Sequence, residues 1–294
     1  MLRTRFAPSP TGYLHVGNAL SALYCQQWAK NHHAQLLLRI EDIDSNRCRG
    51  EFSVAIIEDL QWLGLHWHGE IRYQSRHLDA YRQALARLRR MQVIYPCFCT
   101  RRDIQQEIQH LGLAPHTEDS IPHYPGTCRR LSAAEQHYRQ QTGQAFAWRI
   151  DIGRALEVTG PLHWTDEHGQ KHTVGDSLND AIIGRKDIGF SYHLAVVIDD
   201  AAQGVSHVIR GEDLRSSTDL HRLLQALLNL PTPVYIHHPL LCDTHGERLA
   251  KRNHAPSLRN IRTSGIAADT LHRMLFPDGM QTPPTWTGLA SGHK

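Results

Sequence analysis

A strand, a turn and a helix are compressed into the stretch RFAPSPTGYLHVGN, residues 5–18. Its two prolines and first glycine exclude a helix in the middle, and the apolar pattern from Val16 to about Lys30 predicts one afterwards. The positive end of that helix favours phosphate, Gly17 lets a flat ligand approach the backbone, and His15 can donate a hydrogen bond to a phosphoryl oxygen. The stretch therefore predicts a strand–turn–helix unit that binds a phosphate-bearing ligand.

The alternation of strands and helices continues along the chain and predicts an α/β fold with a parallel sheet and crossover helices. The strand candidates are Thr4–Phe6, Gln35–Ile40, Leu194–Ile198 and Val234–Ile236. The helix candidates have apolar residues at helical spacing over 16–30, 52–63, 78–88, 220–228 and 266–275.

The α/β pattern stops near Val93 and returns near residue 176. The intervening segment is rich in Cys, Pro, His and Gly at first and then carries strand-like pieces such as FAWRID. We therefore predict a first catalytic half over 1–92, an inserted module over 93–175, a second catalytic half over 176–240, and a loop with a short C-terminal segment over 241–294.

Composition limits the function classes. The chain has 294 residues, 40% hydrophobic and 21% charged, with a formal net charge of +3. That content supports a real core, and the small charge excludes a tail that binds nucleic acid by charge alone. No apolar run approaches the ~18 residues of a membrane span, and the start lacks a secretory apolar region. We therefore expect a cytoplasmic protein without a membrane partner, and nothing in the sequence demands more than a monomer.

Three cysteines of the inserted segment have the spacing of a metal site. Cys97 and Cys99 lie two residues apart, and Cys128 follows in a Pro/Gly-rich stretch. Three thiolates suit tetrahedral zinc, which can organise a module that has little core of its own. On residue chemistry alone His123 is the generic choice for a fourth ligand. The other three cysteines have the character of ordinary free thiols: Cys25, Cys48 and Cys242.

Two further strings place polar residues after apolar runs. LLRIEDIDSNR, residues 37–47, brings Glu41 to the end of a predicted strand, where a carboxylate can receive a ligand ammonium. HVIRGED, residues 207–213, brings Arg210 to a similar position, where a guanidinium can hold a carboxylate through two hydrogen bonds. On the residues alone, a solvated loop is the favoured interpretation of the acids, and a structural Arg–Asp ion pair is the favoured interpretation of Arg210.

Taken together, these strings resemble the glutamyl branch of the class I aminoacyl-tRNA synthetases. RFAPSPTG followed by His15-Val-Gly17-Asn18 is similar to its first signature, known as HIGH, with Asn18 where a second histidine often lies. RIEDxDxxR over 39–47 is a string of the same branch. RLAKR over 248–252 lies where the second signature, KMSKS, would fall, with Arg248 and Ala250 as departures from it.

The resemblance implies a Rossmann catalytic domain of the class I synthetase type, with a zinc-bearing, tRNA-contacting insertion. It implies that Glu41 binds the α-amino group of glutamate and that four other residues hold the rest of this substrate: Arg5, Ser9, Tyr192 and Arg210. The residues implied in ATP binding are His15, Gly17, Asn18 and Lys251, of which His15 and Lys251 stabilise charge during catalysis, with magnesium accompanying ATP. The family pattern CxC…YxxxC implies the zinc ligands Cys97, Cys99, Tyr124 and Cys128.

The length of the chain after the second signature distinguishes between families of the glutamyl branch. Only 42 residues follow Arg252, too few for the anticodon-binding domain of an ordinary glutamyl-tRNA synthetase. The shape is similar to that of the glutamyl-queuosine tRNA(Asp) synthetases, a family of shortened paralogues. Membership would imply ATP-dependent activation of glutamate and its transfer to the queuosine base at the wobble position of tRNA(Asp).

Three alternatives remain at this stage. They are a truncated glutamyl-tRNA synthetase that charges the tRNA 3′ end, a zinc-stabilised RNA-binding protein that has lost catalysis, and a nucleotidyl-transfer enzyme of related fold. The last two would have no use for a complete set of glutamate-binding residues.

Overall fold

The computed structural model describes residues 1–110, 124–175, 178–243, 256–276 and 285–286. The strands are β1 Arg3–Phe6, β2 Gln35–Ile40, β3 Arg72–Tyr73, β4 Ile94–Cys97, β5 Ala147–Ile150, β6 His163–Thr165, β7 Lys171–Thr173, β8 Ile182–Gly184, β9 His207–Gly211, β10 Val234–His238, β11 Cys242–Asp243 and β12 Thr285–Trp286. The α-helices are α1 Val16–Asn31, α2 Gly50–Trp62, α3 Leu78–Arg90, α4 Arg101–His110, α5 Ala133–Gln141, α6 Ile152–Thr159, α7 Tyr192–Ala202, α8 Thr218–Leu228, α9 Leu258–Thr263 and α10 Ala268–Leu275.

The two predicted halves of the catalytic domain meet at a line of parallel strands. β1 pairs with β2, and β2 pairs with β3, all in parallel. β9 and β10 form a second parallel pair. β9 lies beside β1, where the amide of Ser206 donates to the carbonyl of Arg3 at 3.0 Å. The carboxyl ends of β1, β2 and β9 therefore converge at one edge, which is where ligands bind in open α/β sheets.

Two apolar cores support this arrangement. The first joins α1, α2 and strands β1 and β2, with Leu20, Leu38 and Ile56 among its fully buried side chains. The second packs α3, α7 and α8 together around residues such as Leu88 and Leu194. The first core also contains Ile209 of β9 and Ile236 of β10, so it spans both parts of the parallel sheet.

The inserted segment has its own antiparallel sheet. β5 pairs with β4 on one side and with β8 on the other, and β6 and β7 form a hairpin over the turn at 166–169. β8 comes after residue 175, so the sheet that begins in this segment is completed by a strand of the following one.

The structure corrects the prediction of a buried strand at Leu194–Ile198. This run lies inside α7, whose first turn is capped by Ser191: its hydroxyl accepts a hydrogen bond from the amide of Leu194. Because α7 is covered on several faces, four successive residues from Leu194 to Val197 are buried. A helix that is buried on all sides lacks an alternation of polar and apolar faces. Its hydrophobic pattern therefore cannot be distinguished from that of a buried strand.

The C-terminal part of the described chain contains two short helices. The predicted helix over 266–275 is confirmed as α10. α9 was missed; it begins at a Ser257 cap and has only six residues, too few for a recognisable apolar period. Among the described residues, no helix combines the length and the apolar character needed to cross a membrane.

Candidate active site

A cavity of about 540 Å³ opens at the carboxyl ends of β1 and β9. It brings together eight residues that the sequence predicts for glutamate or ATP binding, from four separate parts of the chain: Arg5, Ser9, His15, Gly17, Asn18, Glu41, Tyr192 and Arg210. Lys251, the ninth, lies outside the described residues, as do Arg248 and Ala250. The cavity is therefore the candidate active site.

His15 caps the helix that follows the first signature. Its Nδ1 accepts a hydrogen bond from the amide of Gly17 at 3.1 Å, and the Asn18 side chain accepts one from the His15 amide at 3.0 Å. This capping box uses Asn18 structurally, where the family often has a second histidine. Because Nδ1 is the acceptor, the ring proton lies on Nε2, which can donate to a phosphoryl oxygen.

The backbone of this helix start is less available than the sequence suggested. The amide of Val16 donates to Pro256, that of Gly17 to His15 Nδ1, and that of Asn18 to the His15 carbonyl. Phosphate contacts at this helix start would therefore come from side chains and the helix dipole rather than from these amides.

Four buried charges form an ion-pair cluster behind the cavity. Asp200 Oδ1 accepts hydrogen bonds from Arg5 Nε at 2.9 Å and from Arg39 Nη1 at 2.7 Å. Arg39, which is fully buried, also pairs with Glu41 at 3.2 Å. The cluster ties β1, β2 and α7 together and fixes the side chains of Arg5 and Glu41 at the cavity wall.

The two carboxyls of this cluster have opposite pKa shifts. Burial acts to raise the pKa of Asp200, but the guanidiniums of Arg5 and Arg39 outweigh it and hold the pKa below its ordinary value. Burial raises the pKa of Glu41, and Arg39 and Arg5 only partly offset this effect. Glu41 is thus the less strongly compensated of the two, which suits a carboxylate that receives a ligand ammonium.

Arg210 has a different environment. Its guanidinium, also buried, donates to Thr218 Oγ1 at 2.8 Å, to His221 Nδ1 at 3.0 Å and to His237 Nε2 at 3.4 Å. All three acceptors are uncharged groups when the histidines are neutral, and Arg210 pairs with no carboxylate among the described residues.

Counting these charges gives the preference of the site. Among the buried charged groups, three guanidiniums, those of Arg5, Arg39 and Arg210, face two carboxylates, Asp200 and Glu41. A third carboxylate, that of Asp213, lines the cavity but is exposed to solvent. The unmatched positive charge lies on Arg210. Glutamate carries two carboxylates and one ammonium, so its net charge of −1 matches the excess, whereas glutamine would leave a buried charge without a partner.

Sequence reasoning missed several of the residues that build this site. They are Asp200, Arg39, Thr218, His221 and His237. One signal was available: an arginine in the middle of an apolar strand, as Arg39 is, must be paired when buried. The partners themselves come from α7, α8 and β10, and no local pattern links those elements to Arg39 or Arg210.

The predicted cysteine cluster is also assembled. The Sγ atoms of Cys97, Cys99 and Cys128 lie within 4.8 Å of one another. The hydroxyl of Tyr124 is 3.5 Å from Cys97 Sγ and 3.6 Å from Cys99 Sγ. A tetrahedral zinc ion with Zn–S bonds of ~2.3 Å holds sulfur atoms about 3.8 Å apart, so the cluster has dimensions that fit a metal. His123, the other candidate, lies outside the described residues.

The surroundings of this cluster favour a thiolate. Hydrogen bonds with Cys128 and Cys99 lower the pKa of the Cys97 thiol. Arg149 Nε also donates to Cys97 Sγ at 3.2 Å, and its guanidinium covers the ring of Tyr124. Hydrogen bonds from outer residues orient the ligands of metal sites, and the Arg149 contact can hold Cys97 Sγ in this way.

Comparison with known proteins agrees with this geometry. The family model described as tRNA synthetases class I (E and Q), catalytic domain, matches residues 1–284. The chain belongs to this class I synthetase family.

The relatives narrow the assignment. The glutamyl-Q tRNA(Asp) synthetase of Rhodobacter capsulatus is 42% identical over 282 residues, which cover 92% of this chain and 99% of that protein. The glutamyl-Q tRNA(Asp) synthetase of Deinococcus radiodurans is 39% identical over 285 residues, with 95% and 91% covered. The chain belongs to the glutamyl-Q tRNA(Asp) synthetase family.

Solved structures match over the same fold. The glutamate tRNA ligase from Elizabethkingia meningosepticum superposes with a TM-score of 0.71 at 28% sequence identity and covers 86% of this chain. The chain spans about half of that longer protein, 52%.

Proposed function

We propose that this protein activates glutamate with ATP and transfers the glutamyl group to the queuosine base at the wobble position of tRNA(Asp). The observation that carries the proposal is the excess positive charge on Arg210 in a cavity that also presents Glu41 and His15. This arrangement matches an amino acid with a second carboxylate, next to a residue suited to phosphate. The family of the chain is that of enzymes named for the same reaction.

In the first half-reaction an α-carboxylate oxygen of glutamate attacks the α-phosphorus of ATP. The bond from that phosphorus to pyrophosphate breaks, leaving a glutamyl-adenylate. Glu41 positions the ammonium, Arg5, Ser9, Tyr192 and Arg210 hold the remainder of glutamate, and His15 Nε2 donates to a phosphoryl oxygen. The protein thus contributes positioning and charge stabilisation rather than covalent chemistry. Magnesium bound with ATP would neutralise phosphate charge, and we assign Lys251 to the same task.

In the second half-reaction a hydroxyl oxygen of queuosine attacks the carbonyl carbon of the adenylate. The bond from that carbon to AMP breaks, and the hydroxyl proton passes to a base, for which the adenylate phosphate is a suitable acceptor. The inserted module, 93–175, would contact the tRNA. We further propose that zinc, held by Cys97, Cys99, Tyr124 and Cys128, has a structural role in this module, and that the enzyme acts as a monomer in the cytoplasm.

The test is to locate labelled glutamate on tRNA. The protein is incubated with ATP, magnesium, labelled glutamate and queuosine-containing tRNA(Asp), which is then cut with a ribonuclease. We expect label on the anticodon fragment and none with tRNA(Asp) that lacks queuosine. Label on the terminal adenosine would instead make the protein a charging synthetase. Absence of any glutamate-dependent ATP–pyrophosphate exchange would contradict the activation step itself.

A further inference from the structure

Two elements, β10 and α8, surround Arg210 with uncharged acceptors. Arg210 lies on β9, and the register of the parallel pair places His237 of β10 directly beside it. Thr218 and His221 lie three residues apart on α8, so both face the same side of that helix. His221 also contacts the ring of Tyr192, with the ring centres 5.8 Å apart. His221 is thus next to two cavity residues without lining the cavity itself.

The protonation of His221 follows from its hydrogen bonds. A guanidinium can only donate, so Nδ1 of His221 must accept from Arg210 and carry no proton. The ring proton then lies on Nε2, which is 3.0 Å from His193 Nδ1 and donates to it. Burial, and then the charge of Arg210, lower the pKa of His221 well below its ordinary value. The same two causes lower the pKa of His193 to about 4. Both rings are therefore neutral at physiological pH.

Arg5 and Arg210 differ in the charge of the groups that hold them. Arg5 is fixed by a carboxylate, Asp200, at 2.9 Å, and its charge is matched inside the protein. Arg210 is fixed as firmly, by three hydrogen bonds, but its charge is left for the ligand. We propose that His221 is a specificity-determining residue: as a neutral acceptor it positions Arg210 without neutralising it, so that the site demands a side-chain carboxylate rather than a carboxamide. This inference rests on the proposed use of glutamate.

The chemistry favours the side-chain carboxylate as the partner of Arg210. The α-carboxylate must attack phosphorus and loses its charge when the adenylate forms. A strong fixed cation bound to the α-carboxylate would lower the nucleophilicity of its oxygen atoms. The side-chain carboxylate keeps its charge throughout both steps, so a rigid cation can bind it without opposing the reaction.

The test compares two variants that differ only in charge. H221N and H221D have side chains of nearly equal size, and each can place an oxygen near the position of the His221 Nδ1 atom. We expect H221N to keep the KM for glutamate within about threefold of the wild type. We expect H221D, which supplies a carboxylate to Arg210, to raise that KM at least about tenfold. The ratio of glutamate to glutamine efficiency should fall by a similar factor in H221D alone.

The measurement is ATP–pyrophosphate exchange with each amino acid, together with thermal unfolding of each variant. Equal rises in KM for H221N and H221D would overturn the proposal, because charge would then have no part in the effect. Proportional losses with glutamate and glutamine would also overturn it, since Arg210 would then hold the α-carboxylate that both share. If H221D does not fold, H193D provides the same test, because it places a carboxylate beside His221 instead of beside Arg210. A wild-type protein that shows no exchange with glutamate would instead refute the proposed function.

Discussion

Asp59 of α2 is a fully buried carboxyl with a poorly placed partner. Arg262 Nε of α9 lies 3.3 Å from Oδ1, yet neither oxygen of Asp59 accepts a hydrogen bond from the described residues. Burial raises the pKa of Asp59 to about 6 from an ordinary value of 3.8, and Arg262 only partly opposes this. Between these two values the folded protein holds a proton that the unfolded chain has released, so stability falls as the pH rises.

Replacing this carboxyl by an amide should therefore help most at higher pH. We expect the free energy of unfolding of D59N, relative to wild type, to increase by about 2 kcal/mol between pH 4.5 and pH 7.5. Urea unfolding at several pH values measures this difference. E58Q is the matched control, because Glu58 contacts the same Arg262 at 2.9 Å but is half exposed. A difference between D59N and wild type that stays constant with pH would mean that the pKa of Asp59 is ordinary.

The sequence predicted the residues that face the cavity better than the residues that support them. Arg5, Glu41 and Arg210 are visible because they belong to strings with a recognisable pattern, and all three line the cavity. Asp200 and His221 act through contacts with residues 195 and 11 positions away. Their roles depend on how α7 and α8 pack on the sheet, which residue chemistry alone does not specify.

The inserted segment has only a small apolar core. Its small core contains Tyr95, Phe98 and Tyr124 together with two of the cysteines, Cys97 and Cys128. A cluster of this size buries little apolar area, so a metal ion at the cysteines would supply much of the stability of α4 and of residues 124–130.

Removal of the proposed zinc should accordingly disorder this segment and spare the parallel sheet. We expect about one zinc per purified chain and a loss of most of it in C128S, because three ligands bind zinc far more weakly than four. C242S, which changes a half-buried cysteine outside the cluster, is the control. Elemental analysis measures the metal, and hydrogen exchange locates the disorder. Full zinc content in C128S would exclude the cluster as the site.

Elements were predictable where one face of each is exposed. α2 and α3 carry exposed polar residues on one side, and their helical spacing predicted them correctly. α1 is almost entirely buried or half-buried, and it was predicted from the apolar pattern that follows the turn. The run at Leu194–Ile198 has no such contrast, and its β-branched residues favoured a strand. The packing of α7 between α3 and α8 overrides that local preference.

For the molecule as a whole, the α/β class and the family predicted from four strings are confirmed by the fold and by the relatives. The domain boundaries and the roles of the individual site residues stay predictions. One segment links the inserted module to the cavity region. Arg185, after β8, donates to Asp44 at 3.1 Å, and the next residue, Lys186, donates to the carbonyl of Phe98 at 3.1 Å.

This link brings the start of α4 to the same side of the protein as the acids after β2. Arg101 and Arg102 are both exposed there. Side chains that contact tRNA phosphates contribute to tRNA binding but not to the activation of glutamate. A change at α4 should therefore separate the two half-reactions.

We expect the double variant R101E/R102E to lower kcat/KM for glutamyl transfer to tRNA at least about tenfold, since each reversal would replace a proposed phosphate contact by repulsion. Glutamate-dependent ATP–pyrophosphate exchange without tRNA should keep its wild-type rate. R82E/R90E, on exposed positions of α3, makes the same charge change outside the module. An equal loss of transfer in both double variants would attribute the effect to overall charge. An equal loss of transfer and of exchange in R101E/R102E would place α4 in the activation step. Either result would contradict a role of the module in tRNA recognition.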